Sequence, residues 1–522
     1  MTDLNPSPTG ADLLVSTLAD YGVRACFANP GTSEMHLVQA LDREPRIRSL
    51  LCLFEGVATG ASDGFARMAG LPAMTLLHLG PGYANGAANI HNGRRAFSPM
   101  IHVVGDHATY HRSLDAPLSS DIETLVKPNS TWVGVVEAAR DAGSLATTAF
   151  EHAIGPPGGP VTLILPADSA WSEAPAKSDA APKPIAQIAL VDPAQIEAVA
   201  DAIQLAIKPV LLVNGPALYD EAALNQMARL KAAGVRILCD TFVGRLSRGA
   251  GRFAPDRMAY FAEAAMADLE GVDLMILAGT DVPCAFFAYP GKPSILVPEC
   301  CTTLTLSKRH EDTSEAIAAL ADALNAPEVP KHPTRTILPK PVGKITPYSC
   351  AASLARHMPD HAIISDDAVT AGLPHFMATQ TSAPHDWLFL TGGAIGQGLP
   401  LAIGAAIASP ERKVIALSGD GAGMYTLQAL WTMARESLPI VTVIFANHSY
   451  RILNIEMGRT GAGQPGPIAR AMLSIDQPNL DWVKLAQGQG VEAVSCDTAE
   501  AFDQALERAI SANAPILIEA LM

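Results

Sequence analysis

The stretch from Lys413 to Tyr450, KVIALSGDGAGMYTLQALWTMARESLPIVTVIFANHSY, sets an acid after one apolar run and an amide after the next. If the two runs are neighbouring parallel strands joined by the intervening helix, Asp420 and Asn447 leave the sheet side by side at its carboxyl edge, where open parallel sheets bind ligands. A carboxylate, a carboxamide oxygen and an oxygen of Ser449, best its backbone carbonyl, form half a shell for Mg²⁺, which completes its octahedron with phosphate oxygens and water. The turn at Gly421 and Ala422 opens a helix, where free amide N–H groups and the helix dipole favour an anion. Gly-Asp-Gly alone is an ordinary tight turn; the Asn-x-Ser after the next strand makes the pair a candidate metal and diphosphate site.

Other chemistry-bearing residues stand at the ends of apolar runs: the Asn29 turn, Glu55 after LLCLF, His78, and Asp366 in HAIISDD. Glu55 is notable because an acid that closes a greasy run is shielded from water. His107 and His111 have i, i+4 spacing, yet the glutamate and third ligand of a zinc motif are absent, so they read as loop residues. Of the eight cysteines only Cys300 and Cys301 are adjacent, which fits buried thiols rather than a disulfide framework or a zinc pair.

Holding such residues at strand ends requires parallel sheets. Short apolar runs alternate with amphipathic stretches throughout, the pattern of βαβ units. ADLLVSTLADYG reads as a helix and VRACFANPG as a strand running into a turn; KPVLLVNGP, GVRILCD, VDLMILAG, PSILVPE, HAIISDD, KVIALSGDG and IVTVIFANHSY read as further strands. Two Pro-, Ala- and Lys-rich stretches without apolar periodicity, from Ser172 and from Asn325, read as linkers. The expected architecture is α/β, three doubly wound parallel-sheet domains over residues 1–175, 190–328 and 345–522.

Composition narrows the function classes. A net charge of -16 opposes nucleic acid and anionic membrane surfaces, so a phosphate ligand must be held locally. The opening MTDLNPSPTGADLL lacks the basic and apolar regions of a secretory leader, and no apolar run approaches membrane-spanning length, which points to the cytoplasm.

The motifs NPGTSEMHL, FEGVATGASDGFARMAG, LLHLGPGYANGAANIHNGRRAFSPMI, TGGAIGQGLPLAIGAAIASPERKVIALSGDG and NHSY fall in one order along nearly the whole chain. In that order they resemble the thiamine diphosphate-dependent enzymes of acetolactate synthase and benzoylformate decarboxylase type. The resemblance implies a pyrimidine-binding first domain, a central domain of Rossmann type and a diphosphate-binding third domain. It also implies a homodimer, commonly doubled to a tetramer, with each cofactor between the first domain of one subunit and the third of its partner. The small-residue run after Glu55 is then expected to pack closely at that interface.

The resemblance also assigns roles. Glu55 matches the glutamate that activates the cofactor's pyrimidine, Ile395 the apolar wedge beneath the bent cofactor, and the Gly393 carbonyl an acceptor for its amino group. Thr370, Gly421, Ala422 and Tyr450 fall among diphosphate-side contacts, with Asp420, Asn447 and Ser449 as Mg²⁺ ligands. His78 matches an active-site histidine of the decarboxylases suited to proton transfer, where the synthases carry a hydroxyl residue. Thr32 sits where a serine touches substrate carboxylate, and it equally suits a helix N-cap; His111 is an outside candidate for the pocket.

The sequence departs from both patterns. DVPCAFFAYPG has Phe286 and Phe287 where the decarboxylase has a second histidine, and SLDAPLSSDIETL stands where the synthases carry Phe-Gln-Glu. No flavin site is expected. The readings are a 2-oxo acid decarboxylase and carboligase with an apolar pocket that includes Phe286 or Phe287, an acetolactate synthase-like condensing enzyme, or a silent paralogue that only binds cofactor.

Overall fold

A computed structural model describes residues 7–175, 187–329 and 334–522; the middle of each expected linker, 176–186 and 330–333, lies outside the described residues. The first sheet holds β1 (Ala25–Asn29), β2 (Arg48–Leu51), β3 (Ala73–Leu77), β4 (Met100–Asp106), β5 (Trp132–Val135) and β6 (Pro160–Pro166), in the order β2-β1-β3-β4-β6-β5. All its pairings are parallel. Next come β7 (Pro209–Val213), β8 (Arg236–Cys239), β9 (Leu246–Arg248), β10 (Asp256–Arg257), β11 (Leu274–Ala278) and β12 (Thr302–Ser307), of which all but β9 form a parallel sheet, β10-β8-β7-β11-β12. The third sheet, β17-β18-β16-β15-β13-β14-β9, contains β13 (Ala362–Asp367), β14 (His385–Phe389), β15 (Val414–Gly419), β16 (Ile440–Ala446), β17 (Glu492–Cys496) and β18 (Ile516–Leu521).

The fold is the expected α/β arrangement with helices on both faces of each sheet, and three local readings change. β9 leaves the central segment and pairs antiparallel with β14 at the edge of the third sheet. Asp386 secures that crossing by accepting from Ser247 and pairing with Arg245 and Arg412. The apolar PSILVPE is mostly loop, and the strand is instead TTLTLS, whose β-branched alternation suits a pleated edge. LLCLF is not a continuous buried strand either: β2 stops at Leu51, Leu53 is 45% exposed, and Glu55 opens the helix Glu55–Ala69.

That helix and the helix Gly398–Ala408 share one core that reaches from Phe27 and Leu50 beneath the first sheet to Ile363 and Val414 beneath the third. Both are rich in Gly and Ala, and their backbones approach so closely that a Cβ on Gly64 would lie 2.0 Å from the Leu401 carbonyl oxygen. Small residues permit such an approach, and the partner of this contact is the helix Gly398–Ala408 of the same chain. Alongside, Arg67 and Asp63 form a buried ion pair at 2.6 Å. Arg67 also donates to the carbonyls of Gly244 and Phe389 and to the Thr391 hydroxyl, while Gln397 and Ser98 donate to Asp63. Groups from all three parts of the chain thus satisfy one another's buried charge, as an interior ion pair requires. No helix among the described residues is long and apolar enough to cross a membrane.

Candidate active site

The carboxyl edge of the first sheet gathers Glu55, His78 and a residue that the sequence reading passed over, Glu34. β3 ends at Leu77, so His78 emerges at the edge and caps the helix Leu79–Arg95. Its Nδ1 lies 2.8 Å from Glu34 Oε2 and 3.3 Å from Ser33 Oγ. Glu34 is fully buried and also accepts the Gly31 amide at 2.8 Å and the Ser33 hydroxyl. With a carboxylate at Nδ1, the ring carries its hydrogen there, and no hydrogen bond among the described residues engages Nε2.

Glycines make room for this pair. A Cβ on Gly105 of β4 would stand 1.8 Å from Glu34 Oε1, and one on Gly31 would stand 2.3 Å from His78 Nδ1. Gly82 separates the two candidate acid–base groups, since its Cβ would lie 3.4 Å from both Glu55 Oε1 and His78 Cβ. Glu55 itself is 7% exposed and accepts from Asn85 Nδ2 at 3.0 Å. The run GTSE carried a readable signal for Glu34, an acid three residues after a helix-opening Gly.

The other predicted residues of this edge make no hydrogen bond to that cluster among the described residues. Thr32 is exposed and opens the 3-10 turn Thr32–Glu34, whose cap is Gly31, so Thr32 is not the cap. The His107 and His111 rings lie 5.3 Å apart, and no third metal ligand joins them among the described residues. His107 lines a separate cavity of about 260 Å³ with Asp106, Arg112 and Ser119.

At the third sheet, β15 and β16 are parallel neighbours with Gly419 opposite Phe445, so Asp420 and Asn447 emerge together. Asp420 is 2% exposed, accepts the His448 amide at 2.6 Å and the Gly421 amide at 2.9 Å, and has no cationic side chain paired with it among the described residues. Burial pushes its carboxyl above the ordinary carboxylate range, against the pull of those two amides. Asn447 Oδ1 accepts the Ser449 amide at 3.0 Å, and His448 between them adopts φ 53°, in the left-handed region where a side chain is strained. The Ser449 hydroxyl donates to the Leu473 carbonyl, leaving its own carbonyl as the candidate ligand. Tyr450 packs on Gly421, where a Cβ would meet the ring at 2.6 Å, and Ala422 is buried beside it.

Thr370 and Ile395 are half-buried in neighbouring loops, whereas Asp366 is committed to Trp387 Nε1 and the Ala368 amide. Gly393 has φ 76°, and a Cβ there would strike the Phe286 ring at 2.6 Å. Phe286 belongs to an aromatic group with Phe287, Phe242 and Tyr260, and both Phe286 and Phe287 remain partly exposed. Central-segment aromatics therefore face the Gly393 loop directly. No hydrogen bond or ion pair among the described residues joins the Glu34–Glu55–His78 group to the Asp420–Asn447 group within one chain.

A buried acid with no cation, oxygen donors only, and a strained turn that presents them suit a hard divalent ion carrying a diphosphate. Comparison with known proteins bears on the diphosphate. The family model described as thiamine pyrophosphate enzyme, N-terminal TPP binding domain, matches residues 8–125, and the C-terminal TPP binding domain model matches residues 371–520. A Mycobacterium tuberculosis protein, provisionally named acetolactate synthase large subunit IlvX, is 47% identical over 515 residues, which cover 98% of this chain and 99% of that protein. Benzoylformate decarboxylase of Pseudomonas aeruginosa is 28% identical over 529 residues, 96% of each chain. The solved structure of a thiamine diphosphate-dependent 4-hydroxybenzoylformate decarboxylase from Rhodococcus jostii RHA1 superposes with a TM-score of 0.86 at 25% identity over 99% of each chain.

Proposed function

This chain belongs to the thiamine pyrophosphate enzyme family, and from that premise we propose that it decarboxylates a 2-oxo acid, with Mg²⁺, and can pass the product to a second carbonyl. Bound thiamine diphosphate supplies a nucleophilic carbon and a sink for the electrons that CO₂ leaves behind. Asp420, Asn447 and the Ser449 carbonyl hold the metal, while Gly421, Ala422, Tyr450 and Thr370 meet the diphosphate. Ile395 supports the cofactor from beneath and the Gly393 carbonyl accepts from its amino group. Glu55, shielded from water, shares a proton with the pyrimidine N1′.

The observation that carries decarboxylation is the Glu34–His78 pair beside Glu55. Glu34 fixes the imidazole so that Nε2 delivers and recovers protons at the substrate, Thr32 approaches the substrate carboxylate, and Phe286 and Phe287 bound an apolar pocket. In keeping with the family resemblance, we place the site between two copies in a cytoplasmic homodimer or homotetramer.

A second reading, condensation to an acetolactate, is favoured by the name of the M. tuberculosis relative. The test is incubation with Mg²⁺, thiamine diphosphate and a panel of aliphatic and aromatic 2-oxo acids, following CO₂, aldehyde, acyloin and 2-acetolactate. Aldehyde supports decarboxylation and 2-acetolactate the condensing reading; cofactor bound without turnover overturns both.

A further inference from the structure

The helix Leu79–Arg95 carries Asn85, Asn89 and Asn92 at i, i+4 and i+7, a single face. Each engages a different group. Asn85 reaches Glu55; Asn89 Nδ2 donates to the Gly56 carbonyl at 2.7 Å; Asn92 Nδ2 donates to Asn89 Oδ1 at 3.0 Å and to the Ala394 carbonyl at 2.8 Å. Asn92 Oδ1 in turn accepts the Ala394 amide at 3.2 Å. One fully buried side chain thereby satisfies both backbone groups of a loop residue, as a neighbouring strand would.

Ala394 lies between Gly393 and Ile395. The loop around it, Thr391 to Gly396, includes Gly392, Gly393 and Gly396 and so has little stiffness of its own. Its shape comes from the asparagine helix: Thr391 Oγ1 donates to the Asn92 carbonyl at 2.7 Å, and His91 Nε2 donates to the Gly392 carbonyl at 3.1 Å. A Cβ on Gly392 would stand 2.5 Å from Asn92 Oδ1, so the glycine is what admits the carboxamide.

We propose that Asn92 is a positioning residue, which acts through Ala394 to hold the Gly393 carbonyl and Ile395 in place for the pyrimidine half of the cofactor. This rests on the cofactor roles proposed above for Gly393 and Ile395. It separates two functions: Asn92 governs the pyrimidine half, whereas Asp420 and Asn447 govern the diphosphate half.

Asn92→Asp keeps the size and the Oδ1 acceptor but cannot donate to Ala394, and Asn92→Ala removes both bonds without adding charge. Calorimetric titration of the full-length protein with Mg²⁺–thiamine diphosphate, and separately with Mg²⁺–inorganic diphosphate, reads the two halves apart. Loss of one buried hydrogen bond at the loop in Asn92→Asp, or of both in Asn92→Ala, should weaken thiamine diphosphate about tenfold or more in either variant that folds, with inorganic diphosphate within about twofold of the parent. Thiamine diphosphate binding within about twofold of the parent in a folded variant overturns the assignment, as does equal weakening of both ligands, the mark of a merely structural residue. If the parent protein itself does not take up thiamine diphosphate, the cofactor reading fails first and this inference with it.

Discussion

Gly404→Ala adds one methyl group where there is no room. Its Cβ would stand 1.8 Å from the Ala61 carbonyl oxygen and 2.4 Å from the Phe65 nitrogen, both main-chain atoms of the facing helix. Main-chain atoms cannot rotate aside, so the two helices must part by about 1 Å, a gap that forfeits a quarter to a half of the dispersion energy at each contact. Val57, Ala58, Ala61 and Phe65 on one side and Leu399, Leu401, Ala402 and Ile403 on the other would all feel it. Overpacking costs about 1–3 kcal/mol, and the better helix propensity of alanine returns about 0.5–1 kcal/mol, for a net loss of about 1 kcal/mol. Gly458 is the internal control: it is helical, and nothing lies within 4 Å of its would-be Cβ, so the same change there should be neutral or stabilising. Urea unfolding followed by tryptophan fluorescence should therefore lower the Gly404→Ala midpoint and leave the Gly458→Ala midpoint at or above that of the parent. A Gly404→Ala midpoint equal to or above that of Gly458→Ala would refute the claim that the helix pair depends on glycine contact.

Glu55→Gln should retain Mg²⁺-dependent thiamine diphosphate binding and lose turnover by about 100-fold or more; undiminished turnover removes Glu55 from the chemistry. Glu34→Gln should lower kcat with little change in KM, because the imidazole loses its orienting charge, and a parent-like kcat argues against the pairing. Asp420→Ala should abolish metal-dependent cofactor uptake, read by titration at increasing Mg²⁺, while parent-like uptake would move the metal elsewhere. Acid should destabilise the fold through three histidines that burial keeps neutral: His102 is pushed down to about 3, His375 to about 4 and His385 to about 3, from 6.5. Because the unfolded chain takes up these protons first, stability is full above 6.5 and is lost as pH falls toward 3–4, about 2 kcal/mol per histidine by pH 5. Asp367, whose carboxyl burial pushes up to about 7, works the other way and returns about 2 kcal/mol over the same range. Urea midpoints should still fall between pH 7 and pH 5, and a flat profile would contradict the neutral burial of these rings.

What could be read in advance followed from covalent connectivity and strand-end chemistry. A βαβ crossover makes consecutive strands neighbours, so the meeting of Asp420 and Asn447 was legible, as was the emergence of His78 at a sheet edge. Local form was less so. LLCLF looks the same to periodicity whether it ends a strand or leads into a helix, and Glu55 turns out to begin one. The small residues after it announce a close approach without naming the partner, which is Gly398–Ala408 of the same chain. β9 is a short segment with no period to detect and exists only because β14 offers it an edge. Glu34 was overlooked despite its local Gly-x-x-Glu cap signal, and its pairing with His78, which follows a strand 44 residues on, is reported by no local spacing.

The antiparallel crossing of β9 has a consequence for anyone who would dissect the chain. A fragment that starts after the second linker contains the residues proposed for the metal but leaves β14 with its outer hydrogen-bonding groups bare and Asp386 without Ser247 and Arg245. Bare edges recruit foreign strands, so such a fragment should aggregate rather than serve as an independent cofactor-binding module. Cutting before β9 keeps that edge paired but severs β7 and β8 from β10, β11 and β12 of the central sheet, so β9 ties the second and third sheets into a chain with no clean seam between them.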